Sequence, residues 1–261
     1  MKFALVDGQR REAESGLSGE CDGCGSALVA KCGEVRVRHW AHRARRNCDP
    51  WWENETEWHR SWKARFPDDW QEILHHAADG ERHRADVKTA HGWALEFQHS
   101  FIKPEERRSR EAFYAKLMWV VNGTRRKRDK AQFLKALEES TPLSPLSRSS
   151  RTVRRVWSGE GALLRDWVVS AAHVFFDFRD EQGLWWLSPA SDTTWAIVVP
   201  ISVSHFVEMH RQKDGADEFD RNMQDLARAL TDLRGLRNAE QARSRPSPLD
   251  PRRSPRKGRR L

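Results

Sequence analysis

The chain has 261 residues, of which 38% are hydrophobic and 32% charged, and its formal net charge is +8. No apolar run approaches the roughly 20 residues that a membrane-spanning helix needs, which argues against a helical membrane protein. The first residues, MKFALVDGQRREAE, become polar too early for a secretory signal peptide, so we expect a cytoplasmic protein without a membrane partner.

Residues 1–49 are predicted to form a zinc-ribbon-like module, because cysteines and histidines recur there at the spacing C-x2-C-x14-H-x2-H. The candidate zinc ligands are Cys21, Cys24, His39, His42 and Cys48. The histidine spacing is shorter than in finger helices, so a single histidine with Cys48 as the fourth ligand is one solution, and Cys32 is a weaker candidate. The alternative is a Cys/His hairpin that packs without metal.

The segment Glu53–Phe66 is predicted to be a helix that precedes the central strands. Glu55, His59 and Lys63 follow one another at i, i+4 and i+8, which places them on one helical face. The glutamate can supply a carboxylate to a metal site, and the two basic side chains can contact phosphate. The alternative is an ordinary solvated face held by salt bridges.

Three strands are predicted at 71–76, 83–89 and 93–100, and the last two form a hairpin. Ala90-His91-Gly92 is predicted to be a three-residue loop, with the glycine in the left-handed conformation that such loops need. That loop length places Asp86 directly opposite Glu96, and strand alternation places Gln98 on the same face. A register shifted by one residue would separate the two carboxylates.

A helix starting at Pro104, a strand at 117–122 and a helix at Asp129–Glu139 complete the second half of the core. The predicted order is αβββαβ over residues 50–140. A linker is expected at 140–151, followed by a small α+β subdomain over 152–240 that ends in an amphipathic helix over Asp220–Leu236.

Residues 241–261 are predicted to be a disordered basic tail. From Arg243 onwards this segment holds eight basic residues and one acid, Asp250, so it carries +7 of the net charge of +8. Such a tail binds polyanions without sequence preference or simply keeps the protein soluble.

These pieces together resemble the competence protein CoiA-like nuclease family of the PD-(D/E)xK superfamily. The resembling sequences, in order, are C-x-x-C at 21–24, H-W-A-H at 39–42, E-T-x-x-H-x-x-x-K at 55–63, R-A-D at 84–86, E-F-Q-x-S at 96–100 and R-x-x-x-Y at 110–114. The resemblance covers about residues 1–125 and implies a restriction-endonuclease-like α+β core with nuclease activity. Gln98 departs from the superfamily, in which a lysine is usual at that position.

The chemistry expected of this set follows from the residue types. Mg²⁺ or Mn²⁺ prefers hard oxygen ligands, and Asp86, Glu96 and the backbone carbonyl of Phe97 can supply them. The metal lowers the pKa of a bound water and neutralises charge on the scissile phosphate. Gln98 can orient that water but cannot take its proton, so a second metal supported by Glu55, or a nearby basic residue (Lys63, His59 or Lys88), must compensate.

The sequence therefore predicts a metal-dependent nuclease that cleaves DNA phosphodiester bonds, with a role in DNA uptake or recombination implied by the resemblance. Its catalytic candidates are Glu55, Asp86, Glu96, Gln98, His59 and Lys63. Its expected partners are the DNA backbone, a recombination or defence protein, and a second copy of the chain. The alternative function is a catalytically inactive nuclease fold that binds DNA or serves as an adaptor.

Overall fold

A small antiparallel sheet occupies the N-terminal part of the chain. The computed structural model describes residues 1–44, 48–51, 55–77, 80–142, 153–189, 194–226 and 228–229. The strands of the small sheet are β1 (Phe3–Val6), β2 (Gln9–Glu12), β3 (Ser18–Glu20), β4 (Ala27–Lys31) and β5 (His39–His42), in the spatial order β2-β1-β3-β4-β5. Apolar side chains of this sheet form a separate core cluster around the buried indole of Trp40.

A nine-stranded sheet and the helices around it form the rest of the described structure. Its strands are β6 (Gln71–His76), β7 (Arg82–Lys88), β8 (Ala94–Gln98), β9 (Leu117–Asn122), β10 (Thr141–Pro142), β11 (Arg154–Trp157), β12 (His173–Asp177), β13 (Leu184–Leu187) and β14 (Trp195–Ile201). The helices are α1 (Glu57–Lys63), α2 (Pro104–Phe113), α3 (Asp129–Glu138), α4 (Ala162–Trp167), α5 (Val203–Arg211) and α6 (215–226). The spatial order of strands is β10-β11-β14-β13-β12-β9-β8-β7-β6.

The predicted order αβββαβ is confirmed as α1-β6-β7-β8-α2-β9, and the protein is of the α+β class. Strands β6, β7 and β8 are antiparallel neighbours, whereas β8 and β9 are parallel and are connected through α2. Helix α2 begins at Pro104 with two glutamates in its first turn, as the sequence suggested.

The prediction of a separate subdomain over 152–240 is wrong for the described part of that region. Strand β12 pairs in parallel with β9, with Phe175 opposite Val120, so the C-terminal strands continue the central sheet. Every residue of β9 and of β12 is buried, as is typical of parallel strands in a sheet that is covered on both faces. Part of the predicted linker (143–151), the end of the predicted C-terminal helix and the basic tail lie outside the described residues.

Helices cover both faces of the large sheet and create two core clusters. Trp119 of β9 packs on one face with residues of α3 and α4, while Met118 packs on the other face with residues of α1 and α5. Burial of adjacent residues on opposite faces explains why β9 reads as a continuous apolar run in the sequence. None of the helices in the described part of the chain is long and apolar enough to cross a membrane.

A buried carboxylate joins the C-terminal half of the sheet to α1. Oδ2 of Asp177, at the end of β12, accepts hydrogen bonds from the indole N–H groups of Trp58 (2.8 Å) and Trp62 (2.9 Å). Because Asp177→Ala would leave two buried donors unsatisfied, we expect it to lower the free energy of unfolding by about 3 kcal/mol. Urea denaturation measures this, with the exposed Asp69→Ala as the control expected to change stability by less than about 0.5 kcal/mol.

Candidate functional site

The hairpin formed by β7 and β8 has the predicted register. Its ends are closed by a hydrogen bond from Thr89 N–H to the Trp93 carbonyl (2.9 Å), and Gly92 in the loop has a φ of 84°. Val87 pairs with Leu95, and the same register continued by one residue places Asp86 opposite Glu96. The three-residue loop is therefore confirmed, and it determines which side chains meet.

Asp86 extends the contact between the two strands through its side chain. Its Oδ2 accepts a hydrogen bond from the backbone N–H of Phe97 at 2.9 Å. A strand residue directs its N–H and C=O groups to the same edge, so the Phe97 carbonyl lies on the side of β8 that faces Asp86.

Glu96 is a buried carboxylate with only one of its two oxygens engaged. Its Oε2 pairs with Nη1 of Arg110 at 3.0 Å, whereas Oε1 is buried without a hydrogen-bond partner. Burial raises the pKa of Glu96 to about 8; Arg110 opposes this shift and Asp86 adds to it. An unsatisfied carboxylate oxygen in a buried position is the arrangement that a bound cation would complete.

Lys63 connects the end of α1 to the carboxylates of the sheet. Its Nζ lies 2.5 Å from Glu55 Oε1, 2.8 Å from Glu72 Oε1 and 3.9 Å from Asp86 Oδ1. Burial opposes the charged form of Lys63, but the three carboxylates outweigh burial and raise its pKa. The lysine is therefore a fixed positive charge.

Glu55 does not lie on the helix, contrary to the prediction of a helix from Glu53. Helix α1 spans Glu57–Lys63, and Thr56 is its N-cap, with its hydroxyl accepting from the backbone N–H of His59. A capping threonine fixes the start of the helix, so Glu55 belongs to the segment that enters it. Its carboxylate still meets Lys63 and the guanidinium of Arg60 (2.6 Å).

Glu72 is a site residue that the sequence did not reveal. It sits within β6 with a φ of 51°, and the β6–β7 register places it opposite Asp86. Its carboxylate accepts the backbone N–H groups of Lys2 (2.7 Å) and Phe3 (3.3 Å) in addition to binding Lys63. Burial alone would raise the pKa of Glu72, but Lys63 and the amino group of residue 1 lower it overall.

All six predicted catalytic residues line one cavity of about 350 Å³ between the large sheet and the N-terminal sheet: Glu55, His59, Lys63, Asp86, Glu96 and Gln98. The His59 imidazole contacts the Thr56 hydroxyl (3.3 Å), and Nε2 of Gln98 donates to Ser100 (3.3 Å). Lys88, an alternative source of positive charge, does not line the cavity and instead contacts His75.

A second cluster lies beside the cavity and consists of Cys21, Cys24, His42 and Cys48, whose ligand atoms are all within 4.8 Å of one another. Hydrogen bonds from Cys21 N–H to the Ser26 carbonyl (2.9 Å) and from Gly25 N–H to the Cys21 carbonyl (2.8 Å) shape the turn that holds the first two thiols. Three cysteines and one histidine form a set that can bind a metal such as zinc.

His39 is not part of this cluster, which corrects one of the two histidine assignments. It lies three residues before His42 on β5, so the two side chains point to opposite faces of the strand. Its Nδ1 contacts the Val37 carbonyl at 2.8 Å, and the residue lines the cavity. Cys32 packs against the N-terminal core cluster and is also outside the metal-binding set.

The acidities of the thiols in the cluster differ. Burial opposes ionisation of Cys24, but hydrogen bonds with Ser26 and His42 lower its pKa to about 6. Burial and the nearby Cys21 raise the pKa of Cys48 to about 12. A divalent cation would favour the thiolate form at all three positions, because metal binding displaces thiol protons.

Comparison of the chain with family models, curated proteins and solved structures gave no match.

Proposed function

We propose that the protein is a metal-dependent nuclease that cleaves phosphodiester bonds of DNA in the cavity between its two sheets. The observation that carries the proposal is the meeting of Asp86, Glu96 and Lys63 in one cavity, with Oε1 of Glu96 buried and without a partner. Two carboxylates and a backbone carbonyl can hold a divalent cation, and a buried ammonium group adds positive charge for the phosphate, which are two of the roles used in phosphodiester hydrolysis.

The arrangement of elements supports a restriction-endonuclease-like core. The candidate residues come from the segment before α1, from α1 itself, from β7 and from β8, in the order that the resemblance to CoiA-like nucleases implies. The parallel pairing of β8 with β9 places α2 and its Arg110 against Glu96. The support therefore comes from the order of the elements along the chain and from the positions of the candidate residues on them.

Mg²⁺ or Mn²⁺ would be held by the carboxylates of Asp86 and Glu96 and the carbonyl of Phe97, where it would lower the pKa of a bound water and neutralise phosphate charge. Glu55 is occupied by Lys63 and Arg60, so we assign it to positioning Lys63. Arg110 in turn fixes the orientation of Glu96.

Lys63 takes the place of the lysine that is missing at Gln98. Since its pKa is raised, it stays protonated and contributes charge to the phosphate in the transition state, but it does not accept a proton. His59 lines the same cavity, and we propose that its imidazole takes the proton of the attacking water. Gln98 orients that water through its amide.

For the second cluster we propose a structural zinc ion held by Cys21, Cys24, His42 and Cys48. All four protein ligands are used, as in structural rather than catalytic zinc sites. The ion would tie the turn at Cys21 to the end of β5 and so maintain the wall of the cavity that the N-terminal sheet provides.

The second candidate function is a DNA-binding protein that has lost catalysis. It is favoured by Gln98, which cannot act as a lysine, and by the ion pairs that engage Lys63 and Arg110 with carboxylates. This protein would bind DNA in a salt-sensitive manner without shortening it.

An assay with end-labelled DNA separates the two functions. Zinc-loaded protein is incubated with single- and double-stranded DNA in Mg²⁺, in Mn²⁺, or without an added divalent cation, since a strong chelator would also strip zinc. The nuclease proposal predicts cleavage that depends on the added metal. Salt-sensitive binding with no cleavage under any of these conditions would contradict it and support the alternative.

A further inference from the structure

The two walls of the cavity carry different charged groups. The wall formed by the large sheet, α1, α2 and the segment before α1 carries the carboxylates Glu55, Asp86 and Glu96 together with Lys63 and Arg110, whereas Lys31, Arg36 and the imidazole of His39 lie on the facing wall. Lys31 and His39 are register partners on β4 and β5, and Arg36 lies in the segment that connects these strands. Lys31 and Arg36 therefore project from one structural unit.

Lys31 and Arg36 differ from the other cations of the cavity in being unpaired. Lys63, Arg84 and Arg110 each contact a carboxylate at 3.1 Å or less. Within the part of the chain that the structure describes, neither Lys31 nor Arg36 forms an ion pair, and both are exposed. Their charge is thus available to an anionic ligand.

The space between the walls limits the kind of anion that can enter. A cavity of about 350 Å³ is near the lower end of the roughly 300–1,000 Å³ typical of small-ligand pockets. Glu96 and Lys63 are only 4% and 3% exposed, so they lie below the surface. The flexible backbone of a single strand reaches such recessed groups more readily than the backbone of an intact duplex, which would have to distort.

We infer that the cavity accepts single-stranded nucleic acid, and that Lys31 and Arg36 bind the phosphate next to the scissile one, which would lie at the cation held by Asp86 and Glu96. The inference rests on the proposed function for the identity of the scissile phosphate. It gives the N-terminal sheet a direct part in substrate binding, because its β4–β5 segment supplies cations that are not already paired with a carboxylate of the described residues.

Binding without catalysis tests the inference. Affinity of the full-length, zinc-loaded protein for a labelled single strand and a blunt duplex of equal length is measured across salt concentrations, without added Mg²⁺ or Mn²⁺. The test variant is Lys31→Gln/Arg36→Gln. The control is Lys127→Gln/Arg221→Gln, which removes the same charge from exposed positions that do not line the cavity.

For the single strand, the test variant is expected to bind about tenfold more weakly, with a salt slope reduced by about 1.4, or about 0.7 for each cation. Duplex binding, to which the basic tail contributes equally in every variant, is expected to stay unchanged, as is all binding by the control. The inference would be overturned if the test variant lost equal affinity for the single strand and the duplex, or if it lost no affinity for the single strand.

The outcome is independent of the proposed nuclease activity. A protein that binds a single strand through Lys31 and Arg36 but never cleaves it would contradict the proposed function and support this inference. If instead the test variant cleaves DNA in a metal-dependent manner and binds the single strand as the wild type does, the proposed function is supported and this inference is contradicted.

Discussion

Lys63→Met is expected to remove nearly all cleavage and also to destabilise the fold. The substitution preserves most of the side-chain volume but leaves Glu55, Glu72 and Asp86 without their shared cation. Loss of one partner from a buried ion pair costs about 3–5 kcal/mol, and loss of the charge facing the phosphate is expected to slow cleavage by about 10²- to 10³-fold. Urea denaturation and single-turnover cleavage in Mn²⁺ measure the two effects.

A second substitution separates the two roles of Lys63. In Lys63→Met/Glu72→Gln one uncompensated carboxylate is neutralised, so part of the lost stability should return while cleavage stays low. Lys116→Met is the matched control, because this half-exposed lysine forms a surface pair with Asp217 (2.7 Å) that is worth about 1 kcal/mol or less. Recovery of wild-type cleavage in the double variant would show that Lys63 is only structural.

His42→Ala and Cys24→Ser are expected to abolish zinc binding and unfold the N-terminal sheet. Structural zinc sites in small modules contribute on the order of 10 kcal/mol to folding, more than the small cluster around Trp40 can replace. We expect about one zinc ion per wild-type chain by elemental analysis. The variants should lack zinc and be cleaved by protease within residues 1–44.

His39→Ala provides a closely matched control for the zinc prediction. The residue lies on the same strand as His42 but on the other face, outside the cluster. The zinc content and protease resistance of the His39→Ala variant are expected to match those of the wild type. Zinc loss in His39→Ala with zinc retained in His42→Ala would contradict the assigned ligands.

Local features of the site could be predicted from the sequence because they depend on short-range geometry. The loop of three residues between β7 and β8 fixes the register, and the alternation of side chains then places Asp86 opposite Glu96. The histidine error was avoidable by the same reasoning, since residues three apart on a strand face opposite ways.

Features that depend on distant contacts could not be predicted. Glu72 reads as an ordinary strand residue, and its role arises from a backbone at φ 51° and from amides about 70 positions away, at Lys2 and Phe3. The pairing of β12 with β9 joins segments that are separated by α3, α4 and β11, so composition alone suggested an independent subdomain. The continuous apolar run of β9 indicates a buried strand but does not identify its distant partner.

The most direct test of the central claim is the single-turnover cleavage rate of a labelled single strand in Mn²⁺, compared between wild type and Asp86→Asn/Glu96→Gln. Asp225→Asn, on the exposed face of α6, is the control for loss of an acid elsewhere. The proposed site predicts metal-dependent cleavage by wild type and control and a loss of at least about 100-fold in the double variant, with zinc content and folding unchanged. Cleavage at the wild-type rate in the double variant, or no cleavage by the wild type, would contradict it.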